Sequence, residues 1–493
     1  MLDTLLPALR ADPGRPAVLR RTRTGSVRVQ IRRGELAGLT DAYAAALHRR
    51  GLTAGDTLGV AVRPGPRALA VLLAAHHLGL RIAVLDPNAG PDVLRARLSL
   101  ARPALILADA AAQAVAGWAG PLARRAHLAL PPLADLGPVA TLGRRWPGTA
   151  PRLGAAAGVR PPKAADPGPD ADAVIVFTSG TTSSPRAVVH SRAGLAAGLR
   201  TVADLVRPQP GSTVLGGTFF VLVPSLAAGA AVALPARAPT ALARQLRCLA
   251  PAETYLTPPQ LRAALAAGAG FTGRVWTGSA PAGADLLGRV KRAGAEQAWS
   301  VYALTELFPA AAVEEAEKAA FAEDGRDGDL VGHPLPGVRA KLTESGELLL
   351  TGPGARHRYL GEEPDPWVRT GDRATLTPDG RIALAGRCKD MVLRRAENIY
   401  PGLYEPALHL PGVELAVLVG VPDGDGDERL VALVQPRSGA DHGRLRTALE
   451  EQLARMGSAR PDALLFADVP LAGRSRKPDR DAASRLCAAE LAR

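Results

Sequence analysis

The sequence is poor in lysine, cysteine and aromatic residues, and each shortage narrows its function. Lysine supplies only six of the 60 basic residues, so a lysine inside a motif is a candidate for a specific role. Three cysteines (Cys248, Cys388 and Cys487) are odd in number and lack metal-ligand spacing. They argue against a disulfide framework or a zinc site and predict a reducing, cytoplasmic setting. Aromatic residues are 4% of the chain, too few to provide many stacking platforms for single-stranded nucleic acid.

Charge is also missing from one long stretch. No residue between Pro208 and Ala236 is charged, but several prolines and glycines interrupt this stretch. It therefore predicts a buried strand, helix and strand, and not a transmembrane segment. The N-terminal residues MLDTLLPALRADP lack the apolar core and cleavage pattern of a signal peptide, so none is expected.

The net charge of +13 is spread along the chain. Dispersed arginine is typical of a solvated surface, so no nucleic-acid partner is expected. Nucleic-acid binding stays an alternative interpretation, and it predicts an affinity for DNA or RNA that falls steeply with salt.

A chain of 493 residues is long enough for two to four domains. Its first part alternates apolar strand patterns with helical patterns, which predicts mostly parallel sheets covered on both faces. From Gly337 onward short alternating strands indicate a small antiparallel, β-barrel-like subdomain. The last hundred residues show a separate α+β pattern, with a helix expected near 401–410, then two strands, a helix, a strand and a final helix. We therefore predict an α/β fold with a large domain over residues 1–388 and a small, mobile α+β domain over residues 389–493.

The stretch 174–191, VIVFTSGTTSSPRAVVHS, joins a strand pattern to a hydroxyl-rich loop. A glycine lets the backbone approach an anion, while hydroxyl and N–H groups donate to it and a following cation offsets its charge. The loop lacks the GK[ST] of a Walker motif, and an ordinary Ser/Thr turn is the alternative. As a phosphate loop it would use these residues: Thr178, Ser179, Gly180, Thr181, Thr182 and Arg186.

Further polar turns follow predicted strands: TGSAP at 277–281 and YALTE at 302–306. Ligands of open parallel sheets bind at the carboxyl ends of strands, so these turns are candidate pocket walls. RTGD at 369–372, GRCKDMVLRRAENIYP at 386–401 and GRSRKPDR at 473–480 come later in the chain.

Taken in order, these six motifs resemble those of the adenylate-forming (AMP-binding) superfamily of acyl-CoA synthetases, luciferases and adenylation domains. The resemblance covers almost the whole chain. It implies a ligase that uses ATP and Mg²⁺ to activate a small-molecule carboxylic acid as an acyl adenylate. The acyl group would then pass to CoA or to a phosphopantetheine thiol, with an acyl carrier protein as a possible partner.

The resemblance also implies roles for single residues. Lys477, Thr305 and Arg186 would be catalytic, Glu306 would hold Mg²⁺, and Lys389 would be the hinge of the small domain. The remaining nucleotide-binding residues would be those of the phosphate loop together with Gly278, Ser279, Ala280, Tyr302, Asp372 and Arg387. Taken singly, Glu306, Asp372 and the lysines have ordinary structural explanations, and His190 and His333 are expected to be structural.

Several positions depart from the family pattern: Ser183, Ala187, Ala303 and Ala396 replace usual glycines, and Arg186 replaces a usual lysine. The alanine at 396 could narrow a path for CoA. The apolar stretch 216–228 lacks the Asp that anchors amino-acid substrates in this family, so an aryl or aliphatic acid is expected. It also lacks the aromatic-gate histidine of many acyl-CoA synthetases, and Phe219 or Phe220 would fill that space. The alternatives are acyl transfer to a carrier protein or another nucleophile, and a nucleotide-binding protein without catalysis.

Overall fold

The computed structural model describes residues 2–22, 25–85, 91–116, 133–154, 158, 161–177, 186–394, 397–399, 401–423, 428–456, 459–473 and 476–492. Within these ranges the helices are α1 (Leu2–Ala11), α2 (Arg33–Arg49), α3 (Pro66–His77), α4 (Pro91–Ala101), α5 (Ala110–Ala116), α6 (Arg192–Val206), α7 (Phe219–Ala227), α8 (Pro239–Leu249), α9 (Pro258–Ala266), α10 (Ala284–Arg292), α11 (Glu315–Glu323), α12 (Pro401–Tyr404), α13 (His442–Leu453) and α14 (Arg480–Leu491). Short 3₁₀ turns lie at Leu133–Leu136, Cys388–Asp390 and Glu405–Leu408.

The strands of the first half are β1 (Pro16–Arg21), β2 (Val27–Arg32), β3 (Thr57–Ala61), β4 (Arg81–Val84), β5 (Leu105–Asp109), β6 (Val139–Leu142), β7 (Asp172–Phe177), β8 (Ala187–Ser191), β9 (Thr213–Leu215), β10 (Ala231–Ala233) and β11 (Glu253–Tyr255). Those of the second half are β12 (Arg274–Gly278), β13 (Gln297–Tyr302), β14 (Ala311–Glu314), β15 (Asp329–Pro334), β16 (Arg339–Leu342), β17 (Glu347–Thr351), β18 (Arg358–Tyr359), β19 (Val368–Leu376), β20 (Ile382–Arg387), β21 (Val392–Arg394), β22 (Glu397–Ile399), β23 (Val413–Pro422), β24 (Glu428–Pro436), β25 (Ala463–Phe466), β26 (Leu471–Ala472) and β27 (Lys477–Pro478).

The chain divides into two compact units. Unit 1 contains Met1–Tyr255, Thr305–Phe308 and Pro353–Pro366, and unit 2 contains Leu256–Leu304, Pro309–Gly352 and Trp367–Arg493.

Unit 1 contains a seven-stranded sheet in the order β18-β8-β7-β4-β3-β5-β6. Its central strands are parallel, and β7 pairs with β8 in antiparallel fashion. Strands such as β3 and β5 are almost wholly apolar and buried, as expected when helices cover both faces of a parallel sheet. A second group of strands in this unit runs β11-β9-β10-β1-β2.

Helix α6 follows β8 directly and shows why the chain turns there. Ser191 has extended backbone angles, and its hydroxyl accepts a hydrogen bond from the Gly194 N–H, so it caps the helix. The helix thus starts one residue after the strand that leaves the predicted phosphate loop.

Unit 2 contains strands in the order β16-β17-β19-β20-β15-β14-β13-β12. Only β12 and β13 are parallel; the others pair in antiparallel fashion. The antiparallel subdomain expected after Gly337 is therefore present, and through β15 it continues into the strands that carry the TGSAP and YALTE turns.

The C-terminal part of unit 2 has its own small sheet, β23-β24-β25, with apolar clusters on both faces. Helix α13 packs in one cluster through Leu445, Leu449 and Leu453, and α14 in the other through Ala483 and Cys487. This confirms the predicted α+β pattern.

One predicted element differs in length. A helix was expected near 401–410, but α12 ends at Tyr404 and a 3₁₀ turn follows over Glu405–Leu408. Pro406 has no N–H to donate and so cannot continue the α-helical hydrogen bonds. None of the helices that the structure describes is both long enough and apolar enough to cross a lipid bilayer.

Candidate active site

The predicted site residues fall in both units. In unit 1, β7 ends at Phe177 as the sequence predicts, and the chain is described again from Arg186 onward. Thr178, Ser179, Gly180, Thr181, Thr182 and Ser183 lie outside the described residues. The strands on both sides of that stretch pair with each other, with Phe177 opposite Ala187. The stretch is thus a strand-to-strand connection in sequence.

Thr305 and Glu306 belong to a short stretch of unit 1 whose backbone carbonyls accept hydrogen bonds from other segments. The carbonyl of Thr305 accepts a hydrogen bond from Nε2 of His190 at 2.7 Å. The carbonyl of Glu306 accepts one from the Arg356 N–H at 2.6 Å. Both side chains remain partly exposed, so they could reach a ligand.

His190 is completely buried on β8, next to the Phe308 ring at 5.3 Å between ring centroids. Burial lowers the pKa of His190 to about 4, with the nearby Arg356 charge adding to the effect and the Thr305 carbonyl opposing it. The imidazole is therefore neutral at physiological pH and donates its Nε2–H to Thr305. Nδ1 has no hydrogen-bond partner among the described residues.

An apolar wall of unit 1 comes from the uncharged stretch of the sequence. Helix α7 carries Phe219 and Phe220, and the Phe220 ring lies 3.9 Å from that of Phe308 between centroids. Both rings of α7 are partly exposed, whereas Phe308 is buried. This arrangement suits contact with an apolar group.

In unit 2, the TGSAP turn leaves the end of β12. Gly278 is the last residue of the strand, and Ser279 has a backbone φ of +71°, which is unusual for a residue with a side chain. Such angles cost free energy and occur preferentially at functional turns. Ser279 is exposed and Ala280 is partly buried.

Tyr302, Asp372 and Arg387 come together in unit 2. Strand pairing places Asp372 of β19 opposite Arg387 of β20, and the Arg387 Nε lies 2.8 Å from Oδ1. The Tyr302 hydroxyl, at the end of β13, donates to Oδ2 at 2.5 Å. Each carboxylate oxygen can accept a second hydrogen bond, so a fixed diol could still bind both.

Asp372 lies in an environment that opposes its charge. Burial raises the pKa of Asp372 above its usual value, and the Arg387 guanidinium, the Tyr302 hydroxyl and the Lys477 ammonium act against that rise. Burial and the neighbouring Asp372 raise the pKa of Tyr302 well above 10, so its hydroxyl stays protonated and donates.

Lys477 stands at the start of the short strand β27, paired through Ala472 with β26. Its side chain is solvent-exposed, yet partial desolvation and the Arg387 charge lower the pKa of Lys477, while Asp372 acts in the opposite direction. Lys477 is therefore near enough to Asp372 and Arg387 for their charges to act on it.

Lys389 lies in the exposed 3₁₀ turn after β20. Its neighbour Asp390 pairs with Arg480 at 3.0 Å, and Arg480 also binds Glu405 through two hydrogen bonds of 2.7 Å. The predicted hinge residue is thus followed immediately by an ion pair to the start of α14.

The residues present are compatible with Mg²⁺ that is bound together with a nucleotide. Within the described ranges, no group of three or more His, Cys, Asp or Glu side chains could hold a metal ion. Mg²⁺ at nucleotide sites needs only one or two carboxylates, because phosphate oxygens and water complete its shell. Glu306, the predicted ligand, would supply one such carboxylate.

Tyr359, which no sequence motif indicated, also lies beside predicted site residues. Its hydroxyl donates to Oε1 of Glu306 at 3.1 Å, and the guanidinium carbon of Arg186 lies 5.1 Å from its ring centroid. Tyr359 lies in a short strand without any glycine-rich or hydroxyl-rich signal. The pairing of β18 with β8 and the bridge between Ala355 and Leu307 bring it beside the two predicted residues.

Comparison with known proteins gives the family. A family model described as "AMP-binding enzyme" matches residues 8–360. An indoleacetate–CoA ligase of Aromatoleum aromaticum is 28% identical over 490 residues, covering 90% of this chain and 91% of that protein. A feruloyl-CoA synthase of an Amycolatopsis species is 32% identical over 216 residues, covering 40% of this chain and 43% of that protein, less than half its length.

Among solved structures, the amide bond synthetase McbA from Marinactinospora thermotolerans matches with a TM-score of 0.78 at 23% identity. The match covers 99% of this chain and 100% of that one, and it shows that the fold is shared. The resemblance that the six motifs predicted is thereby confirmed, and the chain belongs to the AMP-binding enzyme family.

Proposed function

We propose that this protein is an ATP- and Mg²⁺-dependent ligase that activates a carboxylic acid as an acyl adenylate and transfers the acyl group to CoA. In the first step a carboxylate oxygen attacks the α-phosphorus of ATP, the bond to pyrophosphate breaks, and pyrophosphate leaves. In the second step a thiol sulfur attacks the acyl carbon and AMP leaves, while the thiol proton passes to solvent.

The observation that carries the proposal is the arrangement of Asp372, Arg387 and Lys477 in unit 2. A buried carboxylate with room for two further hydrogen bonds suits a ribose diol. Lys477, on which the charges of Asp372 and Arg387 act, is suited to stabilise negative charge as it develops near that sugar.

We assign the remaining roles by family membership. Tyr302 would lie against adenine together with Gly278, Ser279 and Ala280, and Thr305 would contact the α-phosphate. Thr178, Ser179, Gly180, Thr181, Thr182 and Arg186 would hold the β- and γ-phosphates. Mg²⁺, held by Glu306, would neutralise phosphate charge.

The same membership supports a division of the chain at Lys389, with residues 389–493 as a small domain that rotates between the two steps. The ion pair of Asp390 with Arg480 would stabilise the orientation in which Lys477 lies near Asp372. Rotation would withdraw Lys477 and present another surface of the small domain for thiol transfer.

The acid is proposed to be aryl or aliphatic and uncharged apart from its carboxylate. The wall of Phe219 and Phe220 is apolar, and the relatives are named for indoleacetate and ferulate. A panel of arylacetic, cinnamic and straight-chain aliphatic acids should therefore contain a substrate.

The experiment is pyrophosphate release with ATP and Mg²⁺ over that acid panel, each acid paired with its amide as a control that has no carboxylate. Release with an acid and none with its amide would support adenylation, and stimulation by CoA would identify the acceptor. ATP binding without release across the whole panel would favour a nucleotide-binding protein without catalysis.

A second acceptor is favoured by a specific observation. The fold is shared with an enzyme named as an amide bond synthetase, and Ala396 replaces the glycine that thioester-forming members have beside the pantetheine path. Acyl transfer to an amine, or to the thiol of a carrier protein, is therefore the alternative second step. Product analysis with CoA, a phosphopantetheinylated carrier protein and a primary amine separates these outcomes.

A further inference from the structure

The segment 353–366 of unit 1, called the strap here, contacts two stretches that carry predicted site residues. Its strand β18 pairs with β8, with the His357 N–H donating to the Val189 carbonyl and the Leu360 N–H donating to the Ala187 carbonyl, both at 2.8 Å. Strand β8 begins immediately after Arg186. The strap is therefore fixed beside the residue that ends the predicted phosphate loop.

The strap also holds the stretch that contains Thr305 and Glu306. Ala355 forms an antiparallel bridge with Leu307, and the Arg356 N–H donates to the Glu306 carbonyl at 2.6 Å. One short segment thus anchors the backbones on both sides, at Ala187 and at Glu306.

Tyr359 extends this link to the side chains. The residue is 9% exposed, with the guanidinium carbons of Arg186 and Arg356 at 5.1 and 4.5 Å from its ring centroid. Its hydroxyl donates to Oε1 of Glu306 at 3.1 Å. A single side chain therefore contacts both the predicted phosphate-binding cation and the predicted Mg²⁺ ligand.

The Tyr359 ring suits an arginine at position 186 better than a lysine. A guanidinium is planar and stacks on an aromatic face, whereas an ammonium is a compact, strongly hydrated charge. Arg186 is exposed, and a long exposed side chain loses rotamer freedom unless a contact fixes it. The Tyr359 hydroxyl can donate a hydrogen bond, and it donates to the Glu306 carboxylate.

We propose that Tyr359 is a positioning residue that orients the Arg186 guanidinium with its ring and the Glu306 carboxylate with its hydroxyl. This role explains how the chain uses arginine where the family pattern has lysine, because the ring offers a stacking surface that suits arginine better. The inference rests on the proposed function, since it takes Arg186 and Glu306 as ligands of the nucleotide and its metal.

The two contacts can be separated by substitution. Tyr359→Phe keeps the ring and removes the hydroxyl, so the Mg²⁺ concentration that gives half-maximal ATP binding should rise on the order of 10-fold, as for other outer-shell partners of metal ligands. The affinity for ATP at saturating Mg²⁺ should hardly change. Arg186→Lys keeps the charge and weakens the stack, so it should weaken ATP binding at every Mg²⁺ concentration without shifting the Mg²⁺ midpoint.

The measurement is calorimetric titration of the full-length protein with ATP at a series of Mg²⁺ concentrations, without acid, so that no turnover occurs. Tyr43→Phe is the matched control, because it removes a hydroxyl from a buried tyrosine of α2 in the same unit. Tyr359→Leu removes both contacts and should combine both defects, and thermal unfolding of each variant shows whether it is folded.

An unchanged Mg²⁺ midpoint in folded Tyr359→Phe would overturn the proposal, as would a midpoint that shifts equally in Tyr43→Phe. The proposed function fails separately, when the wild type binds ATP but releases no pyrophosphate with any acid. A wild type that does not bind ATP would overturn both.

Discussion

Asp372 is a carboxylate held between opposing influences, and its ionised form is the one that can accept two hydrogen bonds from a ribose diol. Burial raises the pKa of Asp372, and the positive charge of Arg387 is the largest influence that lowers it. As the pH falls, nucleotide binding should therefore begin to weaken at a pH above the usual titration range of an aspartate.

The first prediction concerns the loss of ATP affinity at low pH, called the acid limb here. In Arg387→Ala the pKa of Asp372 should rise further, so the pH at which the ATP dissociation constant begins to increase should move upward, whatever the change in affinity at neutral pH. Arg369→Ala is the control, since Arg369 on the same strand pairs with Glu347. Dissociation constants measured across the acid range test this, and an unshifted acid limb would contradict the assignment.

Protonation of Asp372 should affect ATP affinity and folding stability in opposite directions. Because the folded-state pKa of Asp372 lies above the unfolded value, its ionised form is disfavoured by folding, and protonation relieves that cost as pH falls through the folded pKa. Loss of ATP affinity in acid through this group should therefore not be accompanied by loss of stability from the same group.

The dependence of folding stability on pH that His190 contributes has the opposite sign. Its folded-state pKa is about 4, below the ordinary 6.5, so the unfolded state takes up the proton first and stability falls as pH decreases from 6.5 towards 4. Between neutral pH and about pH 5 this group alone should cost about 2 kcal/mol.

The second prediction is that His190→Gln reduces the acid-induced loss of unfolding free energy by about that amount, measured by urea unfolding at the two pH values. His76→Gln is the matched variant, because the pKa of His76 is also lowered to about 4, by burial first, but its Nε2 contacts Asp3. Both substitutions should reduce the dependence of the unfolding free energy on pH. Only His190→Gln should also alter ATP affinity, through Thr305. Equal effects on ATP binding would refute that role for His190.

At the scale of elements, helix α6 lies unusually close to the stretch 305–308. A Cβ added at Gly198 would lie 2.7 to 2.8 Å from ring atoms and the carbonyl oxygen of Phe308. Helix and stretch can approach this closely only because residue 198 has no side chain, and the approach helps to place the neighbouring Thr305 and Glu306.

The third prediction follows from this contact. Gly198→Ala should destabilise the protein by about 1–3 kcal/mol, because a backbone oxygen cannot move aside as a side chain could. Gly38→Ala, in the middle of α2 with nothing within 4 Å of the added Cβ, should stabilise by roughly 0.5–1 kcal/mol. Urea unfolding of both variants checks the two signs, and a neutral Gly198→Ala would contradict the packing described.

The elements themselves were largely predictable, because their signals are local. The apolar run before Thr178 forms β7, the uncharged stretch forms β9, α7 and β10, and the C-terminal α+β pattern has the predicted order. The short α12 is the exception, where one proline overrides an otherwise helical pattern.

The site was predictable only in part, because long-range pairing decides which side chains meet. The motifs named Asp372 and Arg387, but their pairing depends on the register of β19 against β20. Tyr359 reaches Glu306 because β18 pairs with a strand far away in the sequence, and the left-handed conformation of Ser279 has no signal in a serine.

For the whole molecule, we propose one chemistry on the basis of family membership and the motif order, in which Lys477 acts on a carboxylate and a phosphate. The charges of Asp372 and Arg387 both act on Lys477, one of only six lysines in the chain. A mobile cation of this kind contributes when negative charge develops in the transition state, and removing one such group typically costs about 10²–10³ in rate.

The most direct test compares Lys477→Ala with Lys163→Ala, an exposed lysine of the linking segment before β7. Two reactions are measured for each: pyrophosphate release with ATP and the acid, and thioester formation from a synthetic acyl adenylate and CoA. We predict that Lys477→Ala slows the first about 10²–10³-fold while largely preserving the second, and that Lys163→Ala changes neither. Equal pyrophosphate release in Lys477→Ala and wild type would contradict the account.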